Sequence, residues 1–185
     1  MITRYLSTAR AVVAAALLAL MTSAPSAHAH EGSATLVACA GTVAADYSPG
    51  LTYAARSTAV RSKAVVGCPV SADPTLTSAT FGGNSTGTLS CLLGPAKGTL
   101  TFRWNNGTSS TASITSLAAV RPNGNMVTIS TGTITSGKFT GAAVVTEVTL
   151  LASSVRACLT PQGLTSASGP TTVTIVGPTK AHHDG

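Results

Sequence analysis

The stretch that most constrains this chain runs from 98 to 111. In it Leu100, Phe102 and Trp104 alternate with Thr99, Thr101 and Arg103. That is the two-residue period of a strand with one buried face. Asn106-Gly107 follows, the residue pair that tolerates the positive φ of a tight hairpin turn. The hairpin carries the only Trp of a chain that is 4% aromatic, so the core is expected to form around it. Similar runs of Thr, Val and Ser fill 34–43, 51–59, 62–68, 75–81, 85–92, 108–117, 126–135, 138–151 and 164–176, with Gly, Pro and Asn between them. Those residues suit half-buried strands and disfavour helices. The pattern predicts an all-β fold: an antiparallel Ig-like sandwich or related barrel of about nine or ten strands.

The first residues carry a different signal. Arg4 and Arg10 mark a basic start, 11–21 is apolar but too short to span a bilayer, and Ala27-His28-Ala29 is a small-x-small cleavage site. This predicts a signal peptide at 1–29, a single domain at 30–177, a polar tail at 178–185 and a secreted, extracellular product. Leu36-Val37-Ala38-Cys39 imitates a lipobox, but it lies too far beyond the apolar run to anchor a lipid. No later segment is apolar for long enough to predict stable membrane insertion. The net charge of +6 includes Arg4 and Arg10, so the exported domain is near +4. Its cations are scattered along the sequence apart from a cluster from Arg56 to Lys63, which predicts no nucleic-acid stripe. A mildly basic surface suits solvation or adhesion to anionic cell walls.

Cys39, Cys68, Cys91 and Cys158 all follow the signal segment. An even count in an exported chain implies two disulfides, and no Cys-x-x-Cys spacing suggests zinc. Cys39 and Cys91 each fall on the apolar side of a strand pattern. The reading therefore favours Cys39–Cys91 with Cys68–Cys158 among the three connectivities.

Catalytic candidates are few. The acids after residue 29 are Glu31, Asp46, Asp73, Glu147 and Asp184, and the histidines are His30, His182 and His183, all near a terminus. No mid-chain histidine can serve a nucleophile, and Asp46 and Asp73 sit at turn-like positions. The chain reads as a non-enzyme with no cofactor. His30 would become the first residue after cleavage, resembling the start of copper-brace proteins, with His182 or His183 as a second metal ligand. The simpler reading is that His30 only follows the end of the signal peptide. Trp104, Phe102, Tyr47 and Tyr53 are candidate ligand-binding residues if they form a stacking platform, although a Trp in an alternating strand more often packs in a core. Asn84-Ser85-Thr86 and Asn106-Gly107-Thr108 are sequons.

Several pieces together carry a resemblance. They are Tyr47-Ser48-Pro49-Gly50-Leu51-Thr52, the 98–107 hairpin, Ile134-Thr135-Ser136-Gly137-Lys138-Phe139-Thr140-Gly141, Ala157-Cys158-Leu159-Thr160-Pro161 and Gly163-Leu164-Thr165-Ser166. In this order they resemble a group of small, uncharacterised secreted β-proteins of actinobacteria. The resemblance implies a fold and carries no activity. A looser likeness, in composition and architecture, is to the Ig-like apoproteins that carry antitumour chromophores. Three functions follow as expectations. The first is a secreted module that binds a surface, polymer or cell-wall partner. The second is a small-ligand carrier. The third is a copper protein using His30. A carrier needs an internal pocket, a copper protein needs His30 beside His182 or His183, and a surface binder needs exposed Trp104 or an apolar patch.

Overall fold

The computed structural model describes residues 33–120, 125–150 and 156–178. The expected signal peptide, His30, His182, His183 and nearly all of the polar tail lie outside them. Eight strands follow in order: β1 Ser33–Leu51, β2 Arg56–Ser71, β3 Ser78–Leu89, β4 Leu93–Trp104, β5 Ser109–Val120, β6 Met126–Gly137, β7 Ala143–Leu150 and β8 Leu164–Pro178. A short 3-10 turn, Arg156–Leu159, precedes β8. Each strand pairs antiparallel with the next, and β8 pairs back onto β1, so the sheet closes into a barrel.

The all-β expectation holds, but the architecture is a closed barrel of eight strands and not a sandwich of nine or ten. The difference arises where turn-forming residues lie inside strands. Asp46-Tyr47-Ser48-Pro49-Gly50, which reads as a turn, is part of β1, and its Ser48–Pro49 peptide is cis. Gly82-Gly83-Asn84 reads as a break but lies within the unbroken β3 ladder to β2. In a coiled barrel wall, small residues let neighbouring strands approach instead of ending them. Gly132 shows this directly, because a Cβ there would lie 1.9 Å from the Ser113 carbonyl oxygen across the β5–β6 ladder.

The hairpin forms as its sequence predicts. β4 and β5 pair from Leu93↔Ala119 to Arg103↔Ser109, and Gly107 takes φ +83° at the turn. Phe102 and Trp104 point inward with Phe81 and with Phe139 of the β6–β7 turn. Ring centroids are 5.2 Å apart for Phe81–Phe102, 5.7 Å for Phe102–Trp104 and 5.8 Å for Trp104–Phe139. The buried indole N–H donates to Ser110 Oγ at 2.9 Å, and that hydroxyl donates to the Lys138 carbonyl at 2.6 Å. This chain satisfies the polar atom that burying a Trp would otherwise strand.

Loops at this end are stitched together from outside. Asn105 Oδ1 accepts from the Thr77 and Ser78 N–H groups, and Asn105 Nδ2 donates to the Thr75 carbonyl. Lys138 pairs with Asp73, whose carboxyl also accepts from Thr75. The Lys138 bond, helped by Thr75, holds the Asp73 carboxyl down at about 2.

Both disulfides form, but with the other pairing: Cys39–Cys68 and Cys91–Cys158. Cys39 and Cys91 do both point inward, yet into different apolar clusters. Cys39 lies with Val37, Val66, Phe102 and Ile175, whereas Cys91 lies with Leu51, Leu89, Met126 and Leu150. Sharing a buried face is not sharing an end of the barrel. Cys39 instead meets Cys68 at a bulge, where Ala38 pairs with Val70 and Ala40 with Gly67. Cys158, in the 3-10 turn, reaches Cys91 beyond the end of β3.

Non-reducing peptide mapping is expected to recover the 39–68 and 91–158 cross-links and no 39–91 peptide. Replacing Cys91 and Cys158 together by Ser, which opens a span of 67 residues, should cost roughly 2–4 kcal/mol in a denaturant titration.

Candidate functional site

The apolar interior is divided into two clusters, one around the aromatic hairpin and one around Leu51, Met126 and Leu150. Between them the inward positions are small or hydroxylic. Ser62 on β2, Gly83 and Ser85 on β3, Ala96 on β4, Ser116 on β5, Ser130 on β6 and Thr146 on β7 all line one cavity of about 100 Å³. An eight-stranded barrel is just wide enough for its side chains to fill. Close packing is the norm in protein interiors, so small residues on several adjacent strands leave a gap where larger ones would have met.

The belt follows from register. Ser116 pairs with Ser130 across β5–β6, and Ser130 with Thr146 across β6–β7, so three hydroxyls form a row on the inner wall. Ser116 and Ser130 share a hydrogen bond of 2.7 Å. Thr146 is 4% exposed. Among the described residues the one buried side-chain polar atom without a hydrogen-bond partner is Arg56 Nε, outside this cavity. The hydroxyls of Ser62, Ser85 and Thr146 line the cavity, where they offer donors and acceptors to an occupant. Val43, Val60, Leu100, Ile114 and Val148 supply apolar wall between the hydroxyls.

Tyr47, on β1 opposite Val60, also lines the cavity. Burial pushes its phenol up to about 12, because the low-dielectric interior disfavours the phenolate. No carboxylate, imidazole, Lys or Arg is among the lining residues. The cavity is therefore neutral throughout the ordinary pH range, and it can donate and accept hydrogen bonds but cannot pair a charge.

The residues singled out from sequence are distributed differently. Trp104 is 4% exposed and Phe102 fully buried, so they are core and form no outward platform. Tyr53 is 47% exposed in the β1–β2 connection, while Tyr47 lies at the cavity. The four aromatics therefore do not meet as one surface. Glu147 points outward, and Asp46 and Asp73 are separated, Asp46 on the barrel wall and Asp73 in an end loop. No group of three metal-ligating side chains occurs among the described residues. Sequence reasoning missed Ser62, Ser85, Ser116, Ser130 and Thr146. Their signal was present: each occupies an inward position where a strand's alternation calls for an apolar residue.

No protein-family model, no curated protein and no solved structure matches this chain.

A spectrophotometric titration should show one tyrosine ionising near 12, and Tyr47→Phe should abolish that component. The unfolded chain ionises its tyrosines near 10. The native state thus holds the proton longer, and Tyr47 should make stability fall as pH rises from about 10 to about 12.

Proposed function

We propose that this chain is a secreted, non-enzymatic carrier that holds one small neutral molecule inside its barrel. One observation carries the reading: a cavity between two apolar clusters is walled by the hydroxyls of Ser62, Ser85, Ser116, Ser130 and Thr146. Interiors are close-packed, so an unfilled cavity forgoes contacts that an occupant restores. A volume of about 100 Å³ is below that of the dry engineered cavities of roughly 150 Å³ that take benzene. The ligand class is therefore a molecule smaller than benzene, partly apolar and bearing hydroxyl or carbonyl groups. The absence of acid–base pairs from the lining favours binding over catalysis. Two disulfides suit an oxidising compartment and agree with the signal-peptide pattern at 1–29.

The test is a thermal-shift series on the purified protein with ethylene glycol, propan-2-ol, acetone and acetamide, paired with native mass spectrometry of the protein from its own source. A bound probe at a hundred times its Kd should stabilise the fold by about 2.7 kcal/mol. Thr146→Val should weaken that effect and Ser130→Leu, which fills the cavity, should remove it. If no probe shifts the wild type and the native mass carries no adduct, the carrier reading fails. It also fails if a probe shifts Ser130→Leu as much as the wild type.

A further inference from the structure

The outer face of β2–β3–β4 brings the basic run of β2 together with cations of β4 that lie far from it in sequence. Seven Lys and Arg side chains fall among the described residues: Arg56, Arg61, Lys63, Lys97, Arg103, Lys138 and Arg156. Lys138 is paired with Asp73, Arg56 is turned onto the Gly50 carbonyl, and Arg156 sits in the 3-10 turn before β8. The other four all point outward from β2 and β4. Strand alternation explains it: Ser62, Ala64 and Val66 fill inward positions of β2, and Ala96, Leu100 and Phe102 those of β4.

Register then sets their spacing. Lys63, Gly82 and Thr101 form one cross-strand row, and Val65, Thr80 and Arg103 form the next. Arg61 lies beside Lys63 on β2 at roughly 7 Å, two residues along a strand. The outward positions of these three strands carry no acid. The nearest is Asp46, paired with Arg61 from β1, and Glu147 is on β7. Unscreened by partners, like charges on one face sum to a positive field.

A shallow groove runs over this face, lined by Lys63, Val65, Thr80, Gly82, Thr101 and Arg103 among others. Gly82 makes its floor. A Cβ at Gly82 would meet only the Ser62 carbonyl, at an ordinary 3.5 Å, so packing does not demand a glycine there. What its missing side chain supplies is room between two cations. Val65 is 65% exposed beside it, and threonine hydroxyls flank both rows.

We propose that this groove binds an acidic polysaccharide, with Lys63 and Arg103 on its anionic groups and Thr80 and Thr101 on its hydroxyls. The chemistry separates this partner from other polyanions. Single nucleic-acid strands are held by base stacking on aromatic rings, and Phe81, Phe102 and Trp104 all point into the barrel; a duplex is read by a helix or ribbon that enters its groove, and these cations lie on the wall of a closed barrel. A bilayer surface calls for apolar or aromatic anchors beside the cations, and Val65 is the one exposed large hydrophobic among the groove's lining residues. The proposal is independent of the internal cavity.

The experiment measures binding of the full-length secreted protein to polygalacturonate and to dextran sulfate, with uncharged dextran, double-stranded DNA and anionic phosphatidylglycerol vesicles alongside. The two acidic polymers distinguish carboxylate from sulfate-ester recognition, and binding of either supports the proposal. Affinity should fall about tenfold or more for Lys63→Glu, Arg103→Glu and Gly82→Glu, and also between low and physiological salt. Arg156→Glu alters net charge as much as Lys63→Glu does and should leave binding unchanged. Unaltered melting temperatures verify that the exposed variants fold. The proposal is overturned if neither acidic polymer binds or if Arg156→Glu weakens binding as much as Lys63→Glu. Retained affinity in Gly82→Glu, or tighter binding to DNA or vesicles than to either polymer, overturns it as well.

Discussion

Closure of β8 onto β1 is the constraint on which everything else rests. The ladder runs from Ser33↔Pro178 to Leu51↔Leu164, so the first and last strands cover each other's backbone groups. Open edges of long Thr- and Val-rich strands would invite pairing with other chains, and a chain with 9% charged residues has little else to prevent it. Closing the wall also defines an inside. Only then do alternate positions on all strands converge on one axis, and only then can Cys39, Val173 and Ile175, far apart in sequence, share a core with Phe102.

That inside is finished differently along its length. At the hairpin end, four aromatic rings pack in a chain from Phe81 through Phe102 and Trp104 to Phe139, and the Trp104–Ser110–Lys138 chain ties them to the β6–β7 turn. Phe139 accepts a φ of +64° in that turn, an uncommon conformation for a bulky residue, and its edge meets Trp104. The Cys91–Cys158 bridge joins the second cluster. Between the two, the hydroxyl belt interrupts the packing. A barrel whose ends are secured by rings and a cross-link can tolerate an underpacked middle, since the loss of dispersion contacts there is offset at both ends.

The outer wall shows the same alternation from its other side. Thr, Lys and Arg occupy the positions that the inward residues leave free, which is why the cationic face of β2–β4 and the neutral cavity are two consequences of one period. Their chemistry is opposite. The cavity excludes charge because its lining cannot solvate one, whereas the outer face keeps its cations in water, where a repeating polyanion can reach them.

The period-two patterns, the Asn106-Gly107 turn and the four cysteines were enough to establish an all-β, hairpin-built domain with two cross-links, because alternation, turn chemistry and cysteine oxidation are local or countable properties. They also placed Trp104 and Phe102 on one face of β4. Barrel or sandwich, the disulfide partners and the site were beyond such reasoning. Whether Asp46-Tyr47-Ser48-Pro49-Gly50 bends or continues a strand depends on the β1–β2 and β1–β8 ladders around it. Cys39 and Cys91 look equivalent until the barrel separates its two ends. Ser116, Ser130 and Thr146 are ordinary strand residues in sequence. They become a site only because register sets them side by side on an inner wall that exists once the last strand has closed on the first.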